Sequence, residues 1–213
     1  MFKKLRSVIG EHILKNHNAY LFLLMAFVLG VSAGAFTVNG LSTMQRDELS
    51  NYFQGFLQLL NNQNLESSEL FSTALVENLK LVGILWILGV TIIGIPFIFI
   101  IMGVKGFITG FSSGFIINVL GLKGVLFTIF ALLPKEIIIV PCLIAIGVNG
   151  INFSLHIAKN RSANDNLKNN LKASFISYCF VTAFFSSIIL AGIILDAYIT
   201  PVLVRIIAPV VTL

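Results

Sequence analysis

The chain is short of charge. Only 11% of its 213 residues are Asp, Glu, Lys or Arg, 57% are hydrophobic, and the mean hydropathy is +0.95. A soluble domain carries about 25% charged residues, so a water-facing surface could not be covered here. Tryptophan occurs once against 19 phenylalanines, a balance that suits lipid-facing and bundle-facing helices. Cysteine is scarce as well. Cys142 and Cys179 both sit in apolar runs, with no CxxC and no Cys/His cluster at zinc spacing, so both are expected as small packing residues. The alternating segments of about ten residues that mark a membrane barrel are missing, because the apolar runs are long and continuous.

Catalytic patterns are missing too: no nucleophile elbow, phosphate loop, HExxH or spaced carboxylate pair occurs. The expectation is a non-enzyme with no catalytic residue, no metal and no cofactor. His12, His17 and His156 fall at interfacial positions, and Ser186–Ser187 can bond back to their own helix. No basic patch is interleaved with stacking aromatics in a soluble segment, so no nucleic-acid partner is expected.

What is present is a series of apolar runs long enough for a bilayer, which needs about 20 residues per helix. The reading is an all-α integral membrane protein, one polytopic domain over 1–213, with the lipid bilayer as its solvent. Residues 1–18 place Phe2, Leu5, Ile9 and Ile13 at helical spacing among basic residues, as in an interfacial amphipathic helix. Five spans are expected at 20–38, 79–101 (kinked at Pro96), 104–120, 137–157 and 173–197, with an inner turn at 102–105. Between Gly121 and Pro134 the apolar run is too short to cross alone, so 122–136 is expected as a re-entrant half-helix. Ala33-Gly34-Ala35 after a basic leader also resembles a signal-cleavage site, but the first apolar stretch reaches full membrane thickness.

Charge orients this layout. Lys3, Lys4, Arg6, Lys15, Lys105, Lys159, Arg161, Lys168 and Lys172 fall in segments assigned to the inside, and Asp47, Glu48, Glu66, Glu69 and Glu77 in a loop assigned to the outside. Five spans put the amino terminus in the cytoplasm and the carboxyl terminus outside. A sixth would expose the most basic loop.

The outer loop 39–78 carries Leu49, Tyr52, Phe53, Phe56, Leu57 and Leu60 on one face of an amphipathic helix, then an Asn61–Asn64 turn and a second helix capped by Ser67 or Ser68. It either folds onto the bundle or docks an outside partner through Tyr52, Phe53, Phe56, Asn62 and Asn64. Gly106-x3-Gly110-x3-Gly114 and the weaker Gly30-x3-Gly34 are helix-packing surfaces, used either internally or as a homo-oligomer seam.

The focus of the chain is Leu132–Gly150, where Pro134, Lys135 and Glu136 interrupt an apolar run and Pro141 follows. Each proline removes a backbone donor, and a charge at membrane depth costs about 2.5–3.5 kcal/mol, so pairing is expected. Asp196 is expected to meet Lys135 or Arg205 as an internal strut. The competing reading is a solute or ion pathway, since broken helices also build transporter sites.

Two of these segments resemble the stage II sporulation protein M family. Leu195-Asp196-Ala197-Tyr198-Ile199-Thr200-Pro201 is similar to the family's carboxyl-terminal Glu-x-x-x-Thr-Pro pattern. Pro134 and Pro141 match the ends of its Pro-His-Gly-x-x-Glu-x-Pro segment, with Lys135, Glu136 and Ile139 where that pattern has His, Gly and Glu. The resemblance carries over Pro134, Pro141, Asp196, Thr200 and Pro201. It implies a protein of the mother-cell membrane at the sporulation septum, acting in engulfment and septal thinning. Its implied role is to scaffold the peptidoglycan-acting stage II sporulation proteins D and P, without being a hydrolase itself.

Overall fold

The computed structural model describes the backbone of residues 16–62, 67–160 and 167–212, and the side chains of 16–55, 71–159 and 171–198. The expected helix over 1–18 lies almost wholly outside the described residues. Every described element is helical: α1 His17–Asn39, α2 Thr43–Asn62, α3 Ser67–Gly89, α4 Gly94–Leu120, α5 Leu122–Phe127, a π-helical turn Thr128–Leu132, α6 Leu133–Asn160 and α7 Leu167–Thr212. Five stretches are long and apolar enough to cross a membrane: His17–Asn39, Phe71–Gly89, Gly94–Leu120, Leu122–Lys159 and Leu171–Tyr198. The chain is an all-α membrane protein.

Small residues set the closest contact. A Cβ added to Gly30 would fall on the Gly103 carbonyl and one on Gly34 on the Phe107 carbonyl. In return, Gly106 and Gly110 receive the Phe27 and Val31 carbonyls, and Gly114 lies against Ala35. The contacts advance in step on both helices, so α1 and α4 run parallel, backbone to backbone. In lipid, where apolar burial drives little association, such close van der Waals packing is what holds helices together.

The central helix is α6. Residues 142–151 are buried without interruption, and Leu143, Ile146 and Val148 are fully so, packed among Leu23, Leu85, Ile98 and Ile193. Polar bonds stitch one end of the bundle. Tyr178 donates to the Trp86 carbonyl at 2.7 Å and stacks on Phe153 at 4.7 Å. Asn149 donates to the Tyr178 carbonyl at 3.1 Å, and Ser154 to the Thr91 carbonyl at 2.9 Å. Gly89 and Gly150 touch there, with no room for a side chain between them.

Two expected boundaries differ. The chain reverses at 90–93, not at 102–105, so 79–101 is not one span and Pro96 begins α4 instead of kinking a helix. A proline in the first turn costs nothing, because its missing donor would have had no partner anyway. Gly94 permits the tight reversal, since a Cβ there would strike the Leu88 carbonyl. Second, 122–136 is not a half-helix ending in a break: α5, the π turn and α6 follow one another without interruption. The Leu133 N–H bonds back five residues to the Thr128 carbonyl, which accommodates one extra residue just before Pro134 forfeits a bond. α6 runs on through Pro141, as the expected span 137–157 did, and Pro141 is exposed.

Outside the spans, α2 begins with a reciprocal cap. The Ser42 N–H donates to Gln45 Oε1 at 3.1 Å, and the Gln45 N–H to Ser42 Oγ at 3.3 Å. Phe53 then fixes the helix to the bundle, edge-to-face with Phe115 at 6.4 Å and Phe127 at 6.0 Å.

Candidate functional site: paired charges within the bundle

Consecutive helical residues diverge by about 100°, so Lys135 and Glu136, side by side at the start of α6, reach different neighbours. Lys135 Nζ lies 3.3 Å from Asp196 Oδ2 on α7. Glu136 Oε1 lies 2.9 Å from Lys105 Nζ on α4, with Thr109 Oγ1 3.5 Å away. The two pairs tie α4, α6 and α7 together, and both are partly shielded: 20% and 11% of the Lys105 and Glu136 side chains are exposed, 29% and 14% of Lys135 and Asp196.

The pairs wall a cavity of about 180 Å³ between α3, α4, α6 and α7. Glu77 and Asn78 enter it from α3, and Ser112 from α4. Ala74, Ile108, Leu132 and Ile139 supply its apolar side. Glu77 is exposed at the rim. Asn78 donates to the Ala74 carbonyl at 2.8 Å, and Thr109 to the Lys105 carbonyl at 3.0 Å. Glu136 Oε2 is buried with no hydrogen-bond partner among the described residues.

Of the expected site residues, Lys135, Glu136 and Asp196 converge here. Pro134 sits exposed beside them at the start of α6, and Pro141 lies two turns further on. The side chains of Thr200, Pro201 and Arg205 fall outside the described residues. Gly30, Gly34, Gly106, Gly110 and Gly114 form the α1–α4 seam, away from the cavity. Of the docking candidates, Phe53 faces the bundle while Tyr52 is 81% exposed. Phe56, Asn62 and Asn64 lie outside the described side chains.

Lys105 is the residue that sequence reasoning misplaced. Assigned to an inner turn, it stands in the middle of α4 instead. Its signal was available, since Lys105, Thr109 and Ser112 recur at i, i+4 and i+7 and so share one face of an otherwise apolar helix. No group of three or more His, Cys, Asp or Glu residues able to hold a metal occurs among the described residues.

The family model described as Stage II sporulation protein M matches residues 23–201, from the first span to the proline that follows Thr200. No curated protein and no solved structure matches the chain. The matched stretch takes in most of the first apolar helix, all of the other four and both ion pairs, and on that extent the chain belongs to the stage II sporulation protein M family.

Proposed function

We propose that this sporulation-family membrane protein is a non-enzymatic scaffold that holds stage II sporulation proteins D and P at the septal membrane during engulfment and septal thinning. Its amino terminus lies in the cytoplasm and its carboxyl terminus outside, on the mother-cell side. The observation that carries the reading is the posture of α2. Phe53 anchors it to Phe115 and Phe127, while Tyr52 and Met44, 81% and 80% exposed, are presented away from the bundle. A helix fixed in place that exposes Met44 and Tyr52 among polar and charged residues suits a docking platform. The ion pairs act as struts beneath it.

Deleting 43–62 and co-purifying partners from sporulating cells tests this. A scaffold loses partner capture while its spans still insert. Retained capture of both partners by the deleted chain rejects α2 as the platform.

The polar cavity favours a second reading, a small-solute transporter or channel component. Flux across vesicles containing only the purified chain would establish it, and abolition of that flux by Lys105→Met would place the route through the cavity.

A further inference from the structure

The outward side of α3 carries two charges that the bundle does not use. Lys80 is the middle residue of the 19-residue apolar stretch Phe71–Gly89. At about 1.5 Å per residue it stands about 14 Å from the Gly89 end, close to halfway through a hydrocarbon core of about 30 Å. Its side chain is exposed, and so is that of Glu77, one turn nearer the outer end. Among the described residues no hydrogen bond or ion pair reaches either of them. A lysine facing lipid at this depth is costly, and the membrane surface lies farther off than its side chain extends.

The face around Lys80 has the pattern of a helix seam. Val76, Lys80, Gly83 and Ile87 follow the alternating four- and three-residue steps by which two helices interlock. Val76 and Ile87 are 46% and 60% exposed, and a Cβ added to Gly83 meets nothing within 4 Å. The inward side of α3 is already taken, with Val82 and Leu85 in the core and Gly89 against Gly150. The charges decide what covers the outward side. One positive and one negative group a turn apart make it self-complementary: about a two-fold axis along the membrane normal, Lys80 of each copy meets Glu77 of the other. A foreign helix with one carboxylate would answer Lys80 and leave Glu77 unanswered. The glycine seam that could have served a second copy is consumed between α1 and α4. From the unpaired mid-span lysine, the glutamate beside it and the open seam around them, we propose that α3 is a homodimer interface within the membrane, held by two reciprocal Lys80–Glu77 pairs. The interface is distinct from the α2 face offered to partners, and its test uses the chain without them.

Full-length chains carrying donor or acceptor dyes on a terminal tag are reconstituted in phosphatidylcholine vesicles, and energy transfer is followed as lipid dilutes the protein. Saturable transfer that fits a two-chain equilibrium is expected. Lys80→Glu alone and Glu77→Lys alone each set like charges across the interface, and each is expected to weaken self-association about tenfold or more. Mixing these two variants brings two carboxylates from one chain to two ammonium groups from the other, so transfer between them returns toward the wild-type level. A Lys80 that paired with Glu77 of its own helix would give no such return. Where a charge variant does not insert, Gly83→Cys in a Cys179→Ser background is oxidised instead. A crosslinked dimer is expected from it and not from Leu29→Cys, which is 66% exposed at mid-span on α1. Wild-type transfer no greater than random proximity, no recovery in the mixture, or equal crosslinking at 83 and 29 overturns the proposal.

Discussion

The Lys105 ammonium and the Glu136 carboxylate meet at 2.9 Å across 31 residues of sequence, joining the middle of α4 to the start of α6. Each is shielded, and each is the nearest opposite charge the other has. Removing one therefore strands the other within the bundle. Glu136→Leu or Lys105→Met alone is expected to cost about 3–5 kcal/mol, whereas the double variant loses much less because neither charge remains to be desolvated. Unfolding of the purified variants in mild detergent checks this, and equal losses in single and double variants would contradict it.

The Lys135–Asp196 pair is longer and more open, at 3.3 Å with 29% of the lysine side chain exposed. Its coupling is expected toward the lower end of the 0.5–3 kcal/mol seen for residues in contact. Lys135→Asp with Asp196→Lys should recover most of the stability that either single exchange loses. A double-mutant cycle that returns no coupling would remove this strut from the account.

At the α1–α4 seam, Gly110→Leu drives a side chain into the Val31 backbone, so the helices must separate. The expected outcome is loss of the folded state, or at minimum a fall of several degrees in unfolding midpoint. Gly83 has nothing within 4 Å of an added Cβ. Gly83→Ala should therefore be neutral or stabilise by about 0.5–1 kcal/mol through helix propensity. Thermal scans of the two variants side by side separate seam from open position.

On α2, Phe53→Ala is expected to cost about 2 kcal/mol, between the worth of an aromatic pair and a full core deletion, and to release the helix from Phe115 and Phe127. Hydrogen exchange of α2 amides reads that release directly. Tyr52→Ala, at an exposed site, leaves exchange unchanged and instead lowers partner capture.

Much of this was legible from residue types alone. Long apolar runs and sparse charge gave an all-helical membrane protein, because lipid leaves the backbone no other partners. The cost of charge at depth drew attention to Lys135, Glu136 and Asp196 before any geometry was known. The reversal at 90–93 was hidden because Val90-Thr91-Ile92-Ile93 is as apolar as the helices it joins. Hydropathy cannot punctuate such a stretch; only Gly94 and Pro96, as a close-approach glycine and a first-turn proline, mark it. That one slip carried Lys105 out of the bundle and concealed the cavity. Pro134 misled in the other direction, since a π turn absorbs a missing donor without stopping the helix.

The π turn at Thr128–Leu132 acts as a phase adjuster in a continuous rod. One added residue turns everything upstream by about 100° relative to everything downstream. It thereby lets Phe127 point at Phe53 while Lys135 and Glu136, about two turns on, point at Asp196 and Lys105. Excising a single residue there would keep the rod helical and the composition nearly intact, yet swing the aromatic contact and the charged contacts out of alignment with each other. α2 and the ion pairs are thus geared to one another through five residues that bear no charge at all.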